Sequence, residues 1–331
     1  MNGYRTASKE DGVALVTVLM IVAAMSTVAI MLSSAVLSST QRSKALDASA
    51  QADWFMVGAQ EFAQVSIEQL VSQSGGALFD GMPGLAQPIT FPVEGGLMSL
   101  SGRDASNCFN LNALASQGDG DTSSGANEDS PSQDFIRLVE ASDLEGFDAE
   151  GAVSALRDWI DPDQTPGLGG AEDSYYASLS PAYRTSGQPL DNLSELHAIR
   201  YFDAAVIAAL EPMLCALPSE TQSPLNINTI TEAQAPLLVL AMSGALSEQA
   251  ARDVIFQRPP GGWDSVEDML ALPDLANIDP ELRRTTMLST RSSHIGVQMV
   301  IEYRNLRRVY DMLLRIEDNG RVSAIRRERR G

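Results

Sequence analysis

From Gly12 to Gln41 the sequence carries no charged residue at all, histidine occurs only twice in 331 positions, and cysteine only twice. Cations are scarce as well, with 23 Lys and Arg against 43 Asp and Glu, a formal net charge of -20. Each scarcity excludes something. The charge balance repels phosphate backbones and anionic headgroups, so polyanions are poor partners, while oxygen-ligated cations suit such a chain. His197 and His294 fall in separate elements, and no nucleophile elbow, phosphate loop, HExxH or CxxC is present, which argues against an enzyme. The cysteines, Cys108 and Cys215, both lie far downstream of the uncharged stretch. If that part is exported they can pair, closing a loop whose chain-entropy stabilisation is at most about 4 to 5 kcal/mol; two unrelated buried thiols are the alternative.

What is present begins with that stretch. About thirty positions rich in Val, Leu, Ile, Met and Ala are enough to cross a bilayer as a helix. A secretory signal has an apolar region of roughly 7 to 15 residues and a small-x-small cleavage site, whereas this one runs on into amphipathic helix. Positive charge does not orient it, because Arg5 and Lys9 on one side balance Arg42 and Lys44 on the other. The junction KEDG followed by VALVTVLMIVA, at Gly12 and Val13, resembles a type IV prepilin leader. That resemblance implies a cut after Gly12 by a prepilin peptidase, an N-methylated Val13, a cytoplasmic leader and a periplasmic bulk. Most such subunits have Glu as the fifth mature residue; here it is Thr17, which implies a subunit with nothing above it in a filament.

From Ser43 to Ser72, residues Ala48, Ala52, Phe55, Ala59, Phe62, Ser66 and Leu70 recur at spacings of three and four, one face of a helix. Lys44, Asp47, Asp53, Gln60 and Glu68 mark the other face. Val13 to Ser72 therefore predicts a rod of about 90 Å that packs on its own domain above and against neighbouring rods in the membrane. Gly75 and Gly76 end it. The runs PITFPV, LMSLSG and CFNLNAL then read as strands, and SHIGVQMVIEYR, RRVYDMLLRIED and GRVSAIRRER read as three more at the far end, the last two joined by Asn319-Gly320. One sheet built from both ends makes the middle an insertion.

The expected fold is α+β: a leader over 1–12, a pilin-like long N-terminal helix over 13–72 packed on an antiparallel sheet from 73–112 and 293–331, and a mainly α-helical inserted domain over 113–292. Within the insertion, Gln117 to Asp134 lacks apolar periodicity and reads as a solvated loop, with Asp119 and Asp121 as minor cation candidates. DFIRLVEAS and AEGAVSALRDWI read as helices.

The segment DWIDPDQTPGLGGAEDSYY gathers Asp158, Asp161, Asp163, Glu172 and Asp173 around a Pro/Gly loop at a helix end. Asp161, Asp163 and Glu172 occupy the first, third and twelfth places of an EF-hand, but Pro166 stands where its turn needs Gly. Caps and turns are one role for these acids. Five acids near a carboxyl end, where the helix dipole disfavours negative charge, favour a bound cation, calcium before magnesium. A catalytic carboxylate pair is a poorer fit, because all five sit in one local loop rather than across a cleft. Further on, Asn226 to Pro273 resembles a helix-hairpin-helix repeat over 226–273, yet MSGALSEQ has no basic residue and acids offset Arg252 and Arg258, so nucleic acid is not the expected ligand.

The leader without the helix Glu, then FNLN, then DW-I-D-D-P-GGAED-YY, then PAYRTSGQPLDNLSEL and NINT, together resemble the general secretion pathway protein K family, the large minor pseudopilins of type II secretion systems, over essentially the whole chain. The resemblance implies a non-enzymatic subunit of the inner membrane that caps the periplasmic pseudopilus with the I and J minor pseudopilins. It implies calcium in the GGAED region, matched here by Asp161, Asp163, Glu172 and Asp173. Other pseudopilins, prepilin peptidase and secreted substrates are the further partners it implies. Two alternatives compete with it: a membrane-anchored periplasmic calcium-stabilised binding protein, and an exported DNA-uptake component using the hairpin repeat.

Overall fold

The fold is built on one helix, α1, from Lys9 to Gln73, 65 residues and about 97 Å long. The computed structural model describes residues 9–85, 87–116, 130–142, 144 and 146–330, so leader positions 1–8 and the loop acids Asp119 and Asp121 lie outside the described residues. Gly12 and Val13 fall inside α1, and every side chain from Val13 to Asp47 is exposed. Burial begins at Ala48 and continues through Ala52, Met56, Ala59 and Ala63, a stripe of mostly small residues that lets the backbone approach a sheet. Phe55 and Phe62 flank the stripe and meet Tyr303 and Phe91 edge to face. Past Gln73 the chain turns with Gly75 and Gly76 at positive φ, and the Gly76 amide donates to the Val71 carbonyl at 2.8 Å.

Strands β1 (Ile89–Val93) and β2 (Gly96–Asp104) come next, and β7 (His294–Tyr303), β8 (Leu306–Ile316) and β9 (Val322–Arg330) close the chain. They form one five-stranded antiparallel sheet in the order β1-β2-β7-β8-β9, with β2 joined to β7 from Gly96 opposite Tyr303 to Asp104 opposite Ile295. The sheet is thus built from both ends of the chain, and Gly320 at positive φ makes the β8–β9 turn. Its core is Ala52, Ala59, Leu100, Ile295, Met299, Ile301 and Leu314.

Between β2 and β7 lie β3 (Phe109–Asn110), α2 (Pro131–Ala141), α3 (Ala149–Ile160), α4 (Asp173–Tyr176), α5 (Ala204–Leu210), β4 (Leu214–Cys215), β5 (Leu225–Asn226), α6 (Ala235–Ala241), α7 (Glu248–Phe256), α8 (Val266–Leu270), α9 (Pro273–Ala276) and β6 (Leu288–Ser289). A second core runs through Phe135, Leu156, Tyr176, Leu196, Leu237 and Val254. Cys108 and Cys215 are disulfide-bonded, Cα to Cα 5.7 Å, beside the two-residue parallel pairing of β3 with β4.

Two expectations need correction. CFNLNAL does not join the large sheet: only Phe109–Asn110 is extended, it pairs with β4, and Leu111–Ser116 is a 3-10 turn. The reason lies in its asparagines, whose side-chain amides replace strand partners. Asn112 accepts from the Leu190 amide at 2.7 Å and donates to the Leu190 carbonyl at 2.9 Å, while Gln222 brackets the Asn110 peptide at 2.8 and 3.1 Å. Asn107 likewise clasps Asn226, and Asn228 clasps Trp263. The second correction concerns Asp134, which is not in a solvated loop. Ser130 caps α2 by accepting from Gln133, Pro131 opens the helix, and Asp134 is buried in a two-pronged ion pair with Arg284 at 2.6 and 2.9 Å.

Candidate metal centre

Helix α3 starts where Asp148 accepts from the Gly151 amide at 2.9 Å, and it buries Ala152, Leu156, Trp159 and Ile160. It stops at Asp161 because Pro162 follows, which forces Asp161 into extended backbone at φ -76, ψ 156. Asp163 then accepts from the Thr165 amide at 2.6 Å and turns the chain. After Gly167, Gly169 and Gly170 the chain comes back to Ala171 and Glu172, both drawn inward with Tyr176 of α4.

This path brings three of the predicted residues together. One carboxylate oxygen from each of Asp161, Asp163 and Glu172 lies within 4.8 Å of the other two. Calcium–oxygen bonds of about 2.4 Å span up to about 4.8 Å between ligands, so the triangle suits that ion. Glu172 is the decisive member, 2% exposed, with neither Oε atom accepting a hydrogen bond. A buried carboxylate without donors is costly unless something positive faces it. Burial, and after it the charges of Asp158, Asp161, Asp163 and Asp173, push its pKa up to about 7. Hard oxygen donors and an uncompensated buried carboxylate fit a divalent cation, and among the described residues the site offers no nitrogen or sulfur ligand to favour a transition metal.

The fourth predicted ligand, Asp173, is turned elsewhere. Its Oδ1 accepts from the Thr185 amide and hydroxyl at 2.9 and 3.0 Å, and its Oδ2 lies 3.8 Å from Arg184. Asp158 is buried and accepts from the Gly167 amide at 3.0 and 3.2 Å, which ties the loop to α3. A Cβ on Gly170 would come within 2.0 Å of Asp158 Oδ2, so only glycine passes there. Sequence reasoning missed two residues at this loop, Arg200 and Tyr201. Tyr201 donates to the Gly169 carbonyl at 2.8 Å, and Arg200 Nη1 donates to the Gly169 and Gly170 carbonyls at 3.4 and 3.2 Å. The available signal was Gly151, a glycine inside a helix, which marks a close approach.

The hairpin module takes the form of α6, a turn with Ser243 and Gly244 at positive φ, and α7 capped by Ser247. Its cations are engaged within the fold: Arg252 with Glu248, and Arg258 with the Ile230 carbonyl at 2.8 Å and Asp80 at 3.3 Å. His294 is buried against the Ser293 hydroxyl at 2.9 Å, and burial pushes its pKa down to about 4; His197 is exposed.

Comparison with known proteins agrees with this architecture. A family model described as "Type II secretion system (T2SS), protein K" matches residues 225–291, and a first-domain model of the same description matches 107–219. Type II secretion system protein K of Pectobacterium carotovorum subsp. carotovorum is 35% identical over 296 residues, 89% of each chain. Its counterpart in Klebsiella pneumoniae is 34% identical over 276 residues, 83% of each chain, and that of Aeromonas hydrophila 31% over 316 residues, 94% of this chain and 95% of the other. Among solved structures, a chain of the GspK-GspI-GspJ complex from the enterotoxigenic Escherichia coli type 2 secretion system superposes with a TM-score of 0.75 at 28% identity, covering 88% of this chain and 99% of that one. Relatives 31 to 35% identical over more than four-fifths of both chains, and a solved chain that follows this fold over 88% of its length, lead to one conclusion: the chain belongs to the type II secretion system protein K family.

Proposed function

We propose that the chain is the K-type minor pseudopilin at the tip of a periplasmic pseudopilus, assembled there with the I and J pseudopilins and supporting protein export. The observation that carries this reading is the division of α1. Its first part is apolar, with a mean hydropathy of 2.6 over its most apolar window, and wholly exposed, while its second part is packed on the sheet. A helix of that composition is satisfied in a bilayer or against other such helices, and a pseudopilus subunit uses both settings in turn. The bulk of the chain then stands in the periplasm, where a disulfide such as Cys108–Cys215 persists.

Processing after Gly12 by prepilin peptidase frees Val13 as the methylated terminus. Thr17 has no carboxylate to offer a terminal amine above it, and its hydroxyl donates to the Ala14 carbonyl at 2.9 Å within its own helix turn. That supports the tip position. Asp161, Asp163 and Glu172 hold calcium, which neutralises the buried Glu172 and fixes the loop of the inserted domain. The ion has a structural role, and the chain works by assembly rather than catalysis.

Terminal sequencing of the membrane-extracted protein tests the processing. A chain beginning at Val13 supports the pseudopilin. An intact Met1 in cells with active prepilin peptidase favours a permanently anchored binding protein instead.

A further inference from the structure

We propose that Arg200 and Tyr201 are positioning residues for the ion: they form a latch that holds the metal loop closed from outside the acidic cluster and so sets the ion's affinity. The proposal rests on the calcium reading above and adds to it a second group of residues that touches no ligand.

The two limbs that carry the ligands, Asp161 and Asp163 on one side and Glu172 on the other, are joined by the turn through Gly167, Gly169 and Gly170. Such a glycine-rich turn loses much conformational freedom on ordering, and without anchors the ion would have to supply that ordering. Here the turn is pinned at three of its peptides. Asp158 holds the Gly167 amide, Tyr201 Oη holds the Gly169 carbonyl, and Arg200 Nη1 reaches the Gly169 and Gly170 carbonyls.

The latch itself is built and strained. Arg200 lies between two aromatic rings, 4.9 Å from the Tyr175 centroid and 4.7 Å from that of Tyr201, which restrains a side chain that is otherwise mobile. Its amide donates to Tyr176 Oη at 3.3 Å, so the latch also grips α4, the element that directly follows Glu172. Tyr201 has φ +76, a left-handed conformation that a bulky residue adopts at a cost. That conformation lays its ring across the first turn of α3, where a Cβ on Gly151 would meet Tyr201 Cζ at 2.7 Å. Gly169, itself at φ +79, sits over the same point, 3.5 Å from the Gly151 Cα when given a Cβ. A strained tyrosine, a glycine cleared for it inside a helix, and two carbonyls gripped from one side all serve to fix the turn. None of them supplies a carboxylate. Their joint effect falls on the distance between the two ligand limbs, and a prealigned site binds with less ordering cost than a loose one.

Calorimetric titration of the full chain in detergent with calcium alone tests this, with Tyr201→Phe removing only the hydroxyl and Arg200→Gln removing the guanidinium. We expect calcium Kd to rise about tenfold in each variant and further in the double variant, in line with the loss of one or two hydrogen bonds to the loop. The Tm of Tyr201→Phe in chelator should stay near that of the parent chain, which separates positioning from a general loss of fold. Parent-like Kd values in both single variants, with the parent chain binding calcium, overturn the latch and leave the calcium reading standing. A parent chain that takes up no calcium overturns both.

Discussion

The sheet half and the inserted half of this protein are held together by different physics. Where α1 lies on the sheet, the contact is mostly area: Ala48, Ala52, Ala59 and Ala63 against Ile295, Met299, Ile301 and Leu314, with polar contacts added at its margins, where Tyr310 donates to Asp53 at 2.6 Å and the Val322 amide to Glu68 at 2.9 Å. In the insertion, helices are short and the fixed points are directional, such as the Asn112–Leu190 and Asn228–Trp263 clasps, the Asp134–Arg284 pair and the Tyr201 hydroxyl on the Gly169 carbonyl. Apolar area tolerates small adjustments, because neighbours shift to fill space. A side-chain amide clasped to one remote peptide does not, since losing it leaves buried donors and acceptors unmet. The half that rests α1 on the sheet is therefore the forgiving one, and the inserted half is the exacting one.

This contrast sets the order of expected effects. Asp134→Ala takes from the partly buried Arg284 its two-pronged partner and should cost about 3 kcal/mol in urea unfolding; a loss under about 1 kcal/mol would show that the insertion does not depend on its polar contacts. Calcium at one hundred times Kd should add about 2.7 kcal/mol, seen as a rise in Tm that chelator reverses. Glu172→Gln should abolish that rise without lowering the Tm measured in chelator, because it removes a buried charge together with a ligand. The pH dependence follows from the raised pKa of Glu172. Between the ordinary 4.5 and about 7 the ion-free folded chain keeps a proton that the unfolded chain has lost, so ion-free stability falls as pH rises through that window. Calcium needs that proton gone, and the calcium-induced rise in Tm should be smaller at pH 5 than at pH 8. At the small end, Ile295→Val in the α1–sheet core should cost only about 0.5 to 1.5 kcal/mol by the same urea assay.

The same division explains what could be read from the sequence. α1, the five strands of the sheet and the Asn319-Gly320 turn follow local rules, a period of 3.6, a period of two and a φ > 0 turn residue, so each is visible in a window of a few residues. CFNLNAL has apolar alternation and reads as a sheet strand, but Asn110 and Asn112 spend their amides on peptides roughly 80 to 110 positions away, and no local pattern records that. Asp134 was hidden for a similar reason, since its partner Arg284 comes from the far end of the insertion. At the acidic loop the carboxylates were legible by type and spacing. Their sorting was not: Asp161, Asp163 and Glu172 converge, whereas Asp173 turns to Thr185, a choice made by tertiary contacts alone.

The central claim is that this chain is a capping subunit which assembles with the I and J pseudopilins, and co-purification tests it most directly. When the processed chain is expressed with I and J from the same secretion system and drawn out on a tag on one of them, the account predicts that all three elute as one species by size exclusion. Elution of this chain alone, while I and J stay paired, would contradict it.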